Sequence, residues 1–283
     1  MGAVALAAIA SLLLAQPASA VKLRYVAVVG VGSPDSVRTV EAFCPAGFKV
    51  VGGGAFSNAV YSQTRIQGSY PIDGPDGNEK ADDGWRATMW NTGMFPNFES
   101  QAICADVKPE YRSKPWSVGI TAPPRVKCLT GTKPSGGGIE TAGTFSLPVG
   151  LLSTRPSDGQ DEDTQPEAWF ANASPPGMQV LNARTYAICV EPGDFRPRYR
   201  SGSFTAGTQD QDFGTKSCRT GDQVVGLGGA TNATGSALVT IFGMDNASDD
   251  DLTLDNGATV TVDNFNISQD IFPEVYAVCV ATG

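Results

Sequence analysis

The chain has 283 residues with 20 basic and 29 acidic side chains, a formal net charge of −9, six cysteines and no histidine. The missing histidine removes the commonest general base and metal ligand at neutral pH, which excludes Ser-His-Asp and Cys-His catalysis. The acidic balance speaks against nucleic acid and anionic membrane surfaces as partners, since both select basic patches.

Residues 1–20 read as a signal peptide. Ala3 to Ala15 is an apolar run too short to span a bilayer, and Ala18-Ser19-Ala20 is a small-residue cleavage site. The n-region departs from the usual pattern in carrying no Lys or Arg. The expectation is a secreted, extracellular protein without membrane insertion, whose even number of cysteines forms disulfides.

From Val21 the chain reads as three copies of one unit. The first, residues 21–107, has Tyr25, then Cys44-Pro45-Ala46-Gly47, a short strand over Lys49–Val51 and Gly52-Gly53-Gly54. An acidic loop from Asp73 to Asp83 leads to Trp85, a strand over 87–90 and a closing strand over 101–105 that carries Ala102-Ile103-Cys104. The second unit, 108–192, repeats Tyr111, Cys128-Leu129-Thr130-Gly131 and Gly136-Gly137-Gly138. Its acidic loop from Asp158 to Glu167 precedes Trp169, and Ala187-Ile188-Cys189 closes it. The third, 193–283, has Tyr199, Cys218-Arg219-Thr220-Gly221 and Gly226-Leu227-Gly228, then acids from Asp245 to Asp255. Thr259 stands where the other units have Trp, and Ala277-Val278-Cys279 closes the copy. The shared motif is C-x2-G-x4-G-x-G followed by A-x-C, and such self-similarity marks one structural unit used repeatedly.

The units are expected to be all-β. Short runs rich in β-branched and aromatic residues lie between Gly, Pro, Asn and Asp, and Ala258 to Val262 alternates with the period of a half-buried strand. With 33 Gly and 19 Pro, tight turns are favoured over helices. The three disulfide-stapled units would pack either as a β-prism-like body or as sandwich-like repeats. The simplest pairing that treats the copies alike is Cys44–Cys104, Cys128–Cys189 and Cys218–Cys279; a scheme joining neighbouring units is the competitor. Each loop closure would stabilise by about 4 kcal/mol in the chain-entropy view.

Two groups of residues are candidates for function. The acidic loops place Asp73, Asp76 and Asp82, Asp158, Asp161 and Asp163, and Asp249 and Asp251 among turn residues, a composition that can build an oxygen-only calcium site. None has the EF-hand spacing, and a solvated hairpin loop is the competing reading. Trp85 and Trp169, at the exits of two such loops, are candidates for ligand binding by stacking on sugar, against packing in the core. The glycine steps are not a phosphate loop, because no Lys follows the second Gly and no helix follows the strand.

The unit C-x2-G-x4-GGG, Ser69-Tyr70-Pro71, acidic loop, Gly84-Trp85 and Ala-x-Cys resembles repeats of uncharacterised exported bacterial proteins of actinomycete type. In its threefold arrangement it is also similar, more weakly, to β-prism lectin-like proteins. The third unit lacks the Pro and the Trp. The resemblance implies export and repetition and transfers no catalytic residue. The reading is a non-enzymatic protein that binds a polysaccharide or cell-surface glycan, with calcium as the candidate cofactor. Alternatives are a structural envelope or matrix protein, and a carboxylate-dependent hydrolase.

Overall fold

The computed structural model describes residues 21–57, 64–74, 80–93, 96–142, 149–158, 166–174, 181–193, 195–231, 239–246, 256–264 and 268–281. Residues 1–20, with the expected signal peptide, lie outside them. The described residues form eighteen β-strands and no helix, so none is long and apolar enough to cross a membrane. The first six are β1 (Leu23–Val31), β2 (Ser36–Phe43), β3 (Lys49–Ser57), β4 (Thr64–Ile72), β5 (Gly84–Asn91) and β6 (Asn97–Ala105). The next six are β7 (Glu110–Val118), β8 (Arg125–Lys127), β9 (Lys133–Thr141), β10 (Gly150–Ser157), β11 (Ala168–Ser174) and β12 (Leu181–Val190). The last six are β13 (Arg198–Ser203), β14 (Asp210–Ser217), β15 (Asp222–Ala230), β16 (Val239–Asn246), β17 (Gly257–Asn264) and β18 (Glu274–Ala281).

The strands build three six-stranded sheets, and each set of six is divided between two of them. The first sheet runs β1-β6-β3-β16-β17-β14, the second β2-β5-β4-β9-β12-β7 and the third β13-β18-β15-β10-β11-β8. Every sheet therefore joins half of one unit to half of another, and the three exchanges close a ring. The all-β expectation holds, and each set of six strands is shared between two sheets instead of closing on itself.

The repeated motif explains the ring. Its first glycine, Gly47, Gly131 or Gly221, turns the chain at a φ of 85°, 89° or 83°, where a side chain would be strained. A bulge follows in each central strand, between Val50 and Gly52, between Pro134 and Gly136 and between Val224 and Gly226. The second glycine then meets the backbone of another unit. A β-carbon at Gly52 would lie 2.1 Å from the Val225 carbonyl oxygen, one at Gly136 2.5 Å from that of Val51, and one at Gly226 2.0 Å from that of Ser135. Strands β3, β9 and β15 thus touch each other in cyclic order through bare backbone. The Ser135 hydroxyl adds a hydrogen bond of 2.9 Å to the Val51 carbonyl.

The recurring tyrosines tie the same ring from its outer strands. Tyr111 donates to the Val50 carbonyl at 2.6 Å and Tyr199 to the Pro134 carbonyl at 2.8 Å; Tyr25 donates to Val224. Each phenol crosses to a different unit at the equivalent place, two residues before the second motif glycine. Burial pushes the Tyr111 and Tyr199 phenols well above their ordinary value.

The disulfides are Cys44–Cys104, Cys128–Cys189 and Cys218–Cys279, the pairing within units, and no free cysteine is present among the described residues. Between the sheets lies one large apolar cluster that includes Val51, Ile66, Met89, Ile139, Leu151, Leu227 and Val260.

Candidate functional site

Trp85 and Trp169 do not face a ligand. They are 1% and 0% exposed, and their indole N–H groups donate to Ser69 at 2.9 Å and Thr154 at 2.8 Å. Each ring lies against the middle glycine of the motif: β-carbons at Gly53 and Gly137 would stand 2.3 Å and 2.4 Å from Trp85 and Trp169. The third unit shows the exchange in reverse. The strand register places Ala258, and not Thr259, at the Trp position, since Trp85 pairs with Ala42, Trp169 with Val126 and Ala258 with Lys216. There the middle motif residue is Leu227, buried like Ala258. In the first two units a large residue faces a glycine, and in the third Leu227 and Ala258 belong to one buried cluster, which is core packing.

The acidic residues separate similarly. Asp76, Asp161, Asp163, Asp249 and Asp251 lie outside the described residues. Asp73 is exposed and Asp158 half-buried. Asp82 is buried and committed to the Lys49 ammonium at 2.9 Å, with Asp83 on the same ammonium at 3.0 Å. The pair with Asp82 first, and with Asp83 in addition, raises the Lys49 pKa against the effect of desolvation. Asp82 is thus an ion-pair partner anchoring the end of its loop on β3. Among the described residues no group of three or more acidic or cysteine side chains is placed to hold a metal ion.

A different surface gathers chemistry. On the outer face of the second sheet one row of side chains crosses all six strands. Glu41 on β2 pairs with Arg86 on β5, whose guanidinium lies over the Tyr70 ring of β4 at 5.8 Å and donates to its hydroxyl at 3.3 Å. Tyr70 stacks on Tyr186 of β12 with ring centroids 5.6 Å apart and planes 12° from parallel. The strand between them, β9, has Gly138 opposite Tyr186, and a β-carbon there would lie 2.0 Å from the Ser69 carbonyl oxygen. The third motif glycine therefore brings β4 close and leaves room for the rings to meet. Tyr186 donates to Glu140 of β9 at 2.7 Å, Glu140 stands 3.9 Å from Arg184, and Arg184 donates to Ser113 of β7 at 3.1 Å. Burial, and then the bond to Glu140, holds the Tyr186 phenol protonated far above its usual range.

Open cavities flank this row. One of about 540 Å³ lies among Lys80, Glu110, Arg112, Ser113 and Tyr186. Another of about 340 Å³ lies among Pro115, Glu140, Thr141, Asn182 and Arg184. Tyr70 is itself buried and backs the half-buried Tyr186 ring, which lines the larger cavity. An aromatic edge held this way, with arginines and carboxylates beside it, can pack on an apolar face of a ligand while they hydrogen-bond its hydroxyls. The third sheet carries a related cluster with the residue types exchanged. Arg155, at the place of Tyr70, lies over Phe170 at 5.7 Å and over Tyr276, the counterpart of Tyr186, at 5.5 Å.

Sequence reasoning singled out the tryptophans and passed over Tyr186, Tyr276 and Phe170. The available signal was alternation: Tyr186 and Tyr276 stand immediately before the A-x-C triplet, whose Ala and Cys are buried, so strand geometry turns the tyrosines outward. No protein-family model matches the chain, and no curated protein matches it either.

Proposed function

We propose that the protein is a secreted, non-enzymatic binding protein for a polysaccharide or cell-surface glycan, which it engages on the outer face of the second sheet. The observation that carries this reading is the Tyr70–Tyr186 stack set between Arg86 and the Glu140–Arg184 pair, with one cavity lined by Tyr186 and another by Arg184. The three disulfides suit an oxidising, extracellular setting. The resemblance to exported bacterial repeat proteins and to prism-like lectins supports the same reading. Glycan arrays and pull-down on cell-wall polysaccharide, each with and without calcium, test it. Binding is expected to fall at least tenfold in Tyr186→Ala and Arg184→Ala and to persist in Lys22→Gln. Absence of binding to every glycan would overturn the proposal.

A second reading, a structural envelope or matrix protein, is favoured by the edge strand β1, which leaves Val29 57% and Val31 63% exposed. An apolar edge with free backbone groups is a template for pairing with another copy. It predicts reversible self-association in sedimentation velocity, abolished by Val29→Lys.

A further inference from the structure

The third unit gathers four of its five basic residues around one groove, in a chain whose net charge is −9. It lies where the edge of the third sheet, β13, runs beside the edge of the first, β14. A cavity of about 480 Å³ there is lined by Arg198, Arg200, Lys216, Arg219 and Asp222. Asp222 is buried and holds Arg198 through both carboxylate oxygens, at 2.8 Å and 3.0 Å. That pair neutralises one cation and leaves three: Arg200, Lys216 and Arg219 make no ion pair among the described residues. Lys216 is half-buried and extends from β14 toward β13, its ammonium 3.7 Å from where a β-carbon of Gly202 would stand.

The sister units show that the fold does not require these cations. The register and the cysteine spacing place Ala42 and Val126 at the position of Lys216, both buried and apolar. Pro45 and Leu129 stand at the position of Arg219, and Val26 and Arg112 at that of Arg200. In the third unit a lysine thus stands where the sister units hold an apolar residue, and it lines a groove with two further cations that make no ion pair among the described residues. Gathering like charges at close range costs electrostatic energy that an anion would relieve. Among the described residues strand β13 pairs only with β18, so its other edge turns backbone groups toward the groove. Those groups suit a ligand with hydroxyls between its charges.

We propose that this groove binds an acidic polysaccharide, one whose sugars carry sulfate or phosphate groups. None of its residues belongs to the second sheet, so it is a second site, and it does not depend on the aromatic row for its argument. The arginine forks and the ammonium would hold the oxyanions, as they do wherever tetrahedral anions are recognised.

The test is binding of dextran sulfate, a phosphomannan, unsubstituted dextran and single-stranded DNA to the full chain, followed by fluorescence anisotropy over a salt series. The triple variant Arg200→Val, Lys216→Ala, Arg219→Leu takes residue types that the sister units already hold, so its melting temperature checks that the fold is kept. A control triple, Lys22→Gln, Lys108→Gln, Lys127→Gln, changes the net charge equally at exposed places outside the groove. Expected is at least a tenfold loss of acidic-dextran or phosphomannan binding in the groove variant, little change in the control and no binding of unsubstituted dextran. Arg219→Leu alone, at an exposed position, is expected to lose about threefold. Preference for the sulfated or for the phosphorylated polymer would support the site and name its anion. No binding of either polymer at low salt, equal losses in the two triples, or tighter binding of DNA than of both polymers would overturn it.

Discussion

Trp85 lies against the bare backbone of Gly53, where a β-carbon would stand 2.3 Å from the indole and 2.4 Å from the Gln101 carbonyl oxygen. The pair is a volume exchange between strands, answered in the third unit by Leu227 and Ala258. Gly53→Ala is expected to destabilise by about 3 kcal/mol, at the upper end of overpacking costs because one neighbour is backbone. Adding Trp85→Leu should recover about 1 kcal/mol, a coupling of the size neighbouring residues show. Urea denaturation of the single and double variants measures it; additive effects would mean that the two residues do not share a space.

The tyrosine bonds between units are separable from packing. Tyr111→Phe or Tyr199→Phe keeps the ring and leaves a buried carbonyl, Val50 or Pro134, without its donor. The cost of such a loss is about 1–3 kcal/mol. Each kcal/mol corresponds to roughly 2–4 °C for a chain of this size. Thermal melts of the two variants should show falls of that order, while Tyr186→Phe, whose partner Glu140 is half-buried, should fall less.

Alkaline pH tests the same groups through their protons. Burial raises the phenols of Tyr70, Tyr111, Tyr186, Tyr199 and Tyr276 above the ordinary value, that of Tyr276 to about 12 with help from Glu274. Because the folded values are the raised ones, their contribution is complete below the unfolded tyrosine pKa, near 10, and declines as pH rises from there through the folded values. Stability is expected to be level from neutrality to about pH 10 and to fall steeply above it. Phenolate absorbance should then rise together with loss of the near-ultraviolet dichroism; early ionisation of all the tyrosines without unfolding would contradict the burial.

Much of the framework was legible because it is repeated. Three copies of C-x2-G-x4-G-x-G predicted equal units, and equal treatment of the copies favoured the disulfide pairing that the structure has. What local pattern could not reveal is partnership across units. Nothing in the run from Lys49 to Gly54 says that Gly52 will meet Val225, which lies far away in sequence. The tryptophans misled for a related reason: a large residue after an acidic loop looks accessible until its opposite strand proves to carry glycine. Lys216 was invisible as part of a site, because its neighbours Arg198 and Arg200 come from another sheet.

The exchange of half-units also bears on fragments. Residues 21–107 expressed alone would leave β3 without β16 and β4 without β9, and Gly52 would face water. Such a fragment is expected to be unfolded or to associate, three copies supplying one another's missing neighbours. Light scattering coupled to gel filtration, with dichroism, distinguishes these from a folded monomer, which would show that the units are self-sufficient.

The division of each unit between two sheets also sets a timetable. As the chain emerges from its N-terminus, the second sheet has all its strands once Val190 is free, since it uses only β2 to β12. The first and third sheets both wait for residues beyond Arg198, and the last strand, β18, lies between β13 and β15 in one of them. Until then β3 and β10 present unpaired edges, the condition in which β-rich chains are most exposed to wrong partners. The nascent protein therefore passes through a stage with one finished face and two half-built ones, and a factor that shields strand edges would act in that interval.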